Sequence, residues 1–505
     1  MPTPSLVVVD GMVRTQAPDR TAEAVAFHKG RVLAVGATEE IDALAGPETH
    51  RLDAEGRVVL PGFVDCHTHA ARLGEMRFRQ DMSNAPGKDE ALQVLNARAQ
   101  KTPGDGWVIG WNWDETAWSG EGPITPEDLD GVSPHHKVLA RRVCGHRIVV
   151  NQAALDALDL DRSTPGIETD EDGNITGRLS EDAAVQAWEA CAPAHETCVK
   201  GLKLETRRLA EMGITSVADT AGRREIRLLT QAAQEGWMLQ RSGLYVKDDL
   251  LEHLEGLAMG PLSGPWCSLL GVKIYVDGSI GARTAALREP YADEDTRGEL
   301  LHAPEEIADV ASRAADLGLQ LKAHAIGDRA IDAVLDGLEQ ADVDPALRPR
   351  MEHVEMLHDD QLDRMRELGV TAVMQPNFVG NWQRPGGLYE QALGEERARR
   401  MNPFRSVLDA DVPLAFSSDG MPYGPLYGIA CAVDHPNPDE ALTVPEAIRS
   451  YTRNAAYALG DEHARGVLQE GALGDAVVLD EDPRQAAAID EIDVHATVVG
   501  GQRIV

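Results

Sequence analysis

Long apolar runs are missing from this chain of 505 residues, although hydrophobic residues make up 43% of it. No stretch approaches the ~20 residues that a membrane-crossing helix needs, so no membrane partner is expected. Cysteine is sparse. The six residues Cys66, Cys144, Cys191, Cys198, Cys267 and Cys431 are scattered without CxxC spacing, which excludes a disulfide framework and a zinc ribbon. The opening MPTPSLVVVDGMVRTQ lacks the basic leader and apolar core of a secretion signal, so a cytoplasmic location is expected. Positive charge is also in short supply: Lys and Arg total 48 against 83 Asp and Glu, a net charge of −35. The acidic residues spread along the whole chain, in loops such as ADVDPAL and TDEDGN. A diffuse acidic surface repels phosphate backbones and anionic lipid, which removes nucleic acid from the expected partners. It resembles the composition of proteins from salt-loving microbes and reads as salt-adapted solubility. Two common enzyme signatures are absent as well. Gly104, Gly106 and Gly110 miss dinucleotide-binding spacing, and DGSIG at 277–281 is not a nucleophile elbow.

What the chain does have is alternation. This length exceeds one compact core, so a large domain and a smaller one are expected. Residues 1–57 and 466–505 are both β-rich and punctuated by glycine, and they read as one composite β-sandwich domain. Between them, 58–465 alternates strand and helix signals, with strands read near ITSVADT, LQRSGLYV, LLGVKIYVDG, LQLKAHAIG, RMEHVEM, VTAVMQPN and VPLAFSSDG. With the strand ending in VDCHTH, the count suits a closed α/β barrel of the (β/α)8 TIM type. Residues from about 74 to 200 break the rhythm and read as an insertion covering the barrel mouth.

Ionisable residues collect at the carboxyl ends of these strands, where barrel enzymes place their chemistry. His67 and His69 close the first strand, and their alternation puts both rings on one face. Lys273 and Asp277 lie on the fourth, His324 ends the fifth, His353 the sixth and Asp419 the eighth. Imidazole and carboxylate suit zinc and similar divalent ions. Taken singly, each has a duller explanation: a hydrogen-bonded core histidine, a turn-forming Asp419, or a buried Lys273–Asp277 pair. Their convergence is what argues for a site.

The ordered set HxH, VKIYVDGSIGARTAAL, HAIGDRA, MEHVEML and SSDGMP, with GHRIVVNQAAL and the terminal GVLQEGALGDAVVLDEDP, resembles the amidohydrolase superfamily. Within it the chain is similar to amidohydrolase family 3, the branch of YtcJ-like metal-dependent hydrolases and N-substituted formamide deformylases. The resemblance implies metal ligands at His67, His69, His324, His353 and Asp419, for one or two divalent ions, zinc above all. It implies an N6-carboxylysine at Lys273, with Lys322 a deeper rival. It also implies a homodimer and a small-molecule substrate. The expected reaction is hydrolysis of a non-peptide C–N bond by metal-generated hydroxide, with Asp419 as general base and then general acid. A deaminase or cyclic amidase would use the same ligands, and a non-catalytic binding protein stabilised by its metal is the alternative outside enzymes. His146, Arg283 and Asp328 are the candidate substrate contacts, and Trp111, Trp113 and Trp382 candidate pocket walls.

Overall fold

A computed structural model describes residues 2–17, 21–115, 118, 122–143, 147–421 and 424–505. His146 and Cys144 lie outside the described residues. Eight strands, Phe63–Thr68, Ile214–Ala221, Arg241–Lys247, Cys267–Tyr275, Gln320–Ala325, Arg350–His353, Thr371–Met374 and Leu414–Phe416, form one sheet in chain order. Every ladder in it is parallel, as in a TIM-type barrel. Helices fill the crossovers. Pro304–Asp316 is representative: Pro304 opens it, Glu305 and Glu306 occupy the positive first turn, and Ile307, Ala311 and Ala314 form its buried stripe.

The small domain is a pair of facing sheets. One contains Arg31–Gly36, Ala24–His28, Leu6–Val9 and His50–Asp53; the other runs Gln502–Arg503, Val494–Val499, Ala476–Leu479, Val58–Pro61, Met12–Arg14, Thr21–Ala22. Leu6, Val25 and Phe27 from the first pack with Val59, Val478 and Val498 from the second. The chain's beginning and end therefore share a hydrogen-bonded ladder, Val58–Pro61 against Ala476–Leu479. Residues Arg72–Leu202 make a separate compact unit. Its mixed sheet is buried on both faces, by Leu95 and Trp113 on one and by Leu139 and Leu179 on the other. No helix among the described residues is long and apolar enough to cross a membrane, and Cys66, Cys191, Cys198, Cys267 and Cys431 are free thiols.

The stretch VVLPGFVDCHTH turns out to be two strands in two sheets. Val58–Pro61 belongs to the small domain, Gly62 makes the crossing, and Phe63 starts the barrel. Gly62 donates its N–H to the Asp475 carbonyl at 3.0 Å. A side chain here has no room, because a Cβ would lie 2.2 Å from Thr215 Cγ2 and 2.3 Å from its hydroxyl. Thr215 is itself fully buried. Gly62→Ala is expected to cost about 1–3 kcal/mol through overpacking, read as a lowered midpoint in chemical unfolding; an unchanged midpoint would show that Thr215 yields freely.

Candidate functional site

The carboxyl ends of the first and eighth strands bring three ligand-type groups together. One atom each from His67, His69 and Asp419 lies within 4.8 Å of the others. Asp419 Oδ1 is 3.3 Å from His67 Nε2 and 3.0 Å from His69 Nε2. The rings of His353 and His324 lie beside this triad, with ring centroids 5.1 Å apart for His67 and His353 and 4.4 Å for His324 and His353. All five residues named from the order of motifs therefore converge on one rim.

Strand parity alone does not put them there. Arg350 and Glu352 share the interior face of the sixth strand, so His353 should point away. Instead His353 has φ 76° and Val354 φ 51°, both left-handed, which re-aims the ring. Asp419 is also left-handed, at φ 53°. Such conformations cost of order 1–3 kcal/mol each and persist only where surrounding bonds impose them. Around Asp419 those bonds are its own N–H to the His67 carbonyl at 2.9 Å, and Asn377 Nδ2 to the carbonyls of Ser418 (2.9 Å) and Met421.

The hydrogen bonds of three histidines fix which nitrogen carries the proton. Burial pushes the His67 imidazole down to about 4 and the His324 imidazole down to about 3, and it holds His353 well below its usual range, so all three are neutral. His67 Nδ1 faces the Glu352 carboxylate, an obligate acceptor, and must hold that ring's one proton. His353 Nδ1 donates to Gln375 Oε1 at 2.8 Å, and His324 Nε2 donates to the Gly278 carbonyl at 3.0 Å. One lone pair per ring is left over: Nε2 of His67 and His353, and Nδ1 of His324. The His67 lone pair faces the Asp419 carboxylate, an arrangement of acceptor against anion that only a cation relieves. The donor set thus fits a divalent ion of the kind imidazole and carboxylate bind.

Lys273 lies among these groups, fully buried, and its Nζ has no hydrogen-bond partner. Burial and then the Lys322 charge push its ammonium down to about 7. Its nearest aromatic face is Tyr275, 4.8 Å from the ring centroid. The Lys273–Asp277 pair does not form: Asp277 accepts from the N–H groups of Ala286, Ile326 and Gly327 instead. Lys322 donates to Thr220 Oγ1 at 3.3 Å and packs over Tyr245.

Other expected residues are occupied elsewhere. Arg283 is bonded to the Asp293 carboxylate and to the carbonyls of Ile280 and Gly281. Asp328 accepts from the Arg288 N–H at 2.7 Å and faces His358 Nε2 at 3.1 Å. Trp113 stacks on Trp118 within the core of its own unit. Trp382 packs at a tilt on Phe378, which in turn stacks on His353.

Arg350, Glu352 and Gln375 escaped the sequence reading. Arg350 Nε donates to Glu352 Oε1 at 2.6 Å, and Arg350 Nη2 to the Cys66 carbonyl at 2.5 Å. Burial alone would raise the Glu352 carboxyl, but Arg350, His67 and Lys322 hold it well below the usual carboxylate range. The signal was present in RMEH, where charges at alternate positions of a buried strand need partners. Glu352→Gln should cost about 3–5 kcal/mol, because it leaves Arg350 buried and uncompensated. Adding Arg350→Met should recover part of that loss, a coupling of about 0.5–3 kcal/mol in a double-mutant cycle. Strict additivity would mean the two side chains are not energetically linked.

The chain is similar to known proteins along nearly its whole length. The model of a family described as "Amidohydrolase family" matches residues 51–505. The amidohydrolase YtcJ of Bacillus subtilis (strain 168) is 31% identical over 96% of this chain and 96% of its own. The N-substituted formamide deformylase of Arthrobacter pascens is 30% identical over 98% of this chain and 97% of its own. Among solved structures, an uncharacterized metal-dependent hydrolase from Pyrococcus furiosus superimposes with a TM-score of 0.82 at 30% identity, covering 95% of this chain and 100% of that one.

Proposed function

The chain belongs to the amidohydrolase family, and from that premise we propose that it cleaves a non-peptide amide bond of a small molecule at the His67–His69–His324–His353–Asp419 cluster. It is a metal-dependent hydrolase of carbon–nitrogen bonds. The finer reading is supported by one observation: ligand atoms of His67, His69 and Asp419 lie within 4.8 Å of one another, with the neutral rings of His353 and His324 beside them. In this reading zinc is held by His67, His69, His324, His353 and Asp419. The neutral amine of the unpartnered Lys273, whose ammonium is pushed down to about 7, would add carbon dioxide at Nζ and release one proton to give an N6-carboxylysine. When bound, such an ion lowers the pKa of water and polarises a carbonyl.

The chain's own part is to orient and to move a proton. Glu352, Gln375 and the Gly278 carbonyl hold three rings in fixed tautomers, so the ligand nitrogens are set before anything binds. Asp419 has Oδ1 beside the Nε2 atoms of His67 and His69 and a backbone locked by Asn377 and His67. It takes the proton of the attacking water and returns it to the leaving nitrogen, which departs as a neutral amine. N-formyl and N-acyl amines are the substrate class to screen, given the deformylase relative.

Asp419→Asn should keep its fold and bound metal by elemental analysis while turnover falls by about 10²–10⁴-fold; activity near wild type would remove Asp419 from the chemistry. Chelator should abolish hydrolysis of those amides, and zinc should restore it. Activity unaffected by chelator would place the reaction in another class.

A further inference from the structure

The fourth barrel strand, Cys267–Tyr275, runs into KIYVDG, and alternation puts Lys273 and Tyr275 on one face of it. The ladder to the fifth strand pairs Lys273 with Lys322 and Tyr275 with His324. The two lysines therefore share one layer of the barrel interior, and Tyr275 and His324 share the next layer towards the carboxyl end. The lysine layer is fully buried, whereas Tyr275 is half-buried. Its ring centroid lies 5.5 Å from that of His324, at an interplanar angle of 42°, and 4.8 Å from Lys273 Nζ. A phenol thus stands at the rim where barrel enzymes work, next to one histidine of the cluster.

Strand order places it relative to Asp419. With the first strand joined to the eighth through Asp65 and Ser418, the fourth strand is four steps from the eighth in either direction. Tyr275 and Asp419 therefore face each other across the mouth. His67 and His69 lie on the arc to one side, and His324 and His353 on the arc to the other. A small molecule that reaches both arcs lies between the phenol and the carboxylate. Amide hydrolysis needs a donor aimed at the carbonyl oxygen as that atom gains negative charge. Several side-chain donors nearby are spent on the protein itself. Asn377 Nδ2 serves the carbonyls of Ser418 and Met421, Gln375 Nε2 serves Ser417 Oγ at 2.9 Å, and Arg283 is held by Asp293. A phenol can accept one bond and donate another, so it can keep a protein contact and still serve a substrate oxygen.

We infer that Tyr275 is a further catalytic residue, its hydroxyl donating a hydrogen bond to the substrate's former carbonyl oxygen from the side opposite Asp419; this rests on the amide-hydrolysis reading above. The two groups divide the work by face. Asp419 moves the proton between water and leaving nitrogen, while Tyr275 keeps its own proton and steadies the oxygen. A bond that strengthens only as the oxygen becomes anionic lowers the barrier and leaves ground-state binding almost untouched.

The test is Tyr275→Phe, which keeps the ring against His324 and removes only the hydroxyl. Towards N-formyl and N-acyl amines, kcat should fall about 10²–10³-fold, with KM and the metal content by elemental analysis unchanged. In calorimetric titration of the metal-loaded chain, methylphosphonate, whose tetrahedral oxygens mimic the reacting state, should bind the variant at least about tenfold more weakly than wild type. Tyr457→Phe, a half-buried tyrosine against Arg348 just before the sixth strand, should match wild type in both measurements. Near wild-type kcat in Tyr275→Phe, a loss carried by KM alone, or unchanged methylphosphonate binding each overturns the assignment. A wild-type chain that leaves all these amides intact overturns the hydrolysis reading and this one with it. An active wild type beside an undisturbed variant overturns the role of Tyr275 alone.

Discussion

Glu352 is fully buried, and a buried carboxylate costs several kcal/mol unless charge and hydrogen bonds answer it. Arg350 answers from its own strand and His67 from across the barrel interior. The same guanidinium reaches on to the Cys66 carbonyl in the first strand and touches the Tyr245 hydroxyl in the third. One ionic knot therefore ties three strands where most barrels place aliphatic layers. Its functional consequence is local. With the proton of His67 committed to Glu352, Nε2 can only be an acceptor, and the rest of the cluster is arranged around that fact.

The knot matters more because the barrel's seam runs through the same place. Among the described residues the first and eighth strands share no ladder. They are joined by side chains: Asp65 accepts from Ser418 N at 3.1 Å and from its hydroxyl at 2.5 Å. Tyr451 adds to the closure, accepting the Val64 N–H on its carbonyl and donating its hydroxyl to Ser417. Asp419 follows directly, so the residue assigned to proton transfer is positioned by the contacts that close the sheet. Closure and site geometry are one problem here, solved by Asp65, Ser418 and Asn377 together.

The outline of this arrangement was readable in the chain. Each of the eight barrel strands overlaps a segment picked out by its apolar pattern, and the second, third and fourth run one or two residues past it, because parallel strands buried on both faces leave continuous apolar runs. His67 and His69 were visible because alternation survives in a regular strand. His353 was legible as the ionisable residue ending the sixth strand, but the direction of its ring was not, since parity would have turned it away and its left-handed backbone is not written in any local motif. Glu352 went unnoticed for the same reason: its neighbour drew the attention, and a residue's face is only known once the strand is placed. Arg283 and Asp328, near the mouth in sequence order, were readable either as substrate clamps or as members of ion pairs. Their partners are Asp293 in one case and Arg288 and His358 in the other, pairings that depend on how a long loop folds back.

Charge in this molecule is divided by depth. On the outside, scarce cations are shared among many carboxylates: Arg51 bridges Asp10, Asp42 and Asp53, Arg288 bridges Asp332 and Asp360, and Arg364 bridges Asp336 and Glu339. A guanidinium has five donors in a fixed fork, so one arginine can serve several acids where a lysine offers a single point charge. Isolated exposed pairs contribute little, so these shared pairs act mainly to relieve repulsion among the acids. Inside the barrel acids are buried too, but burial pushes Asp65, Asp219 and Asp277 up to about 7 and Glu355 up to about 8, whereas Glu352 is held well below the usual range. Arg350, Lys322 and Lys273 line up against Glu352, with Lys273 left unanswered by any hydrogen bond.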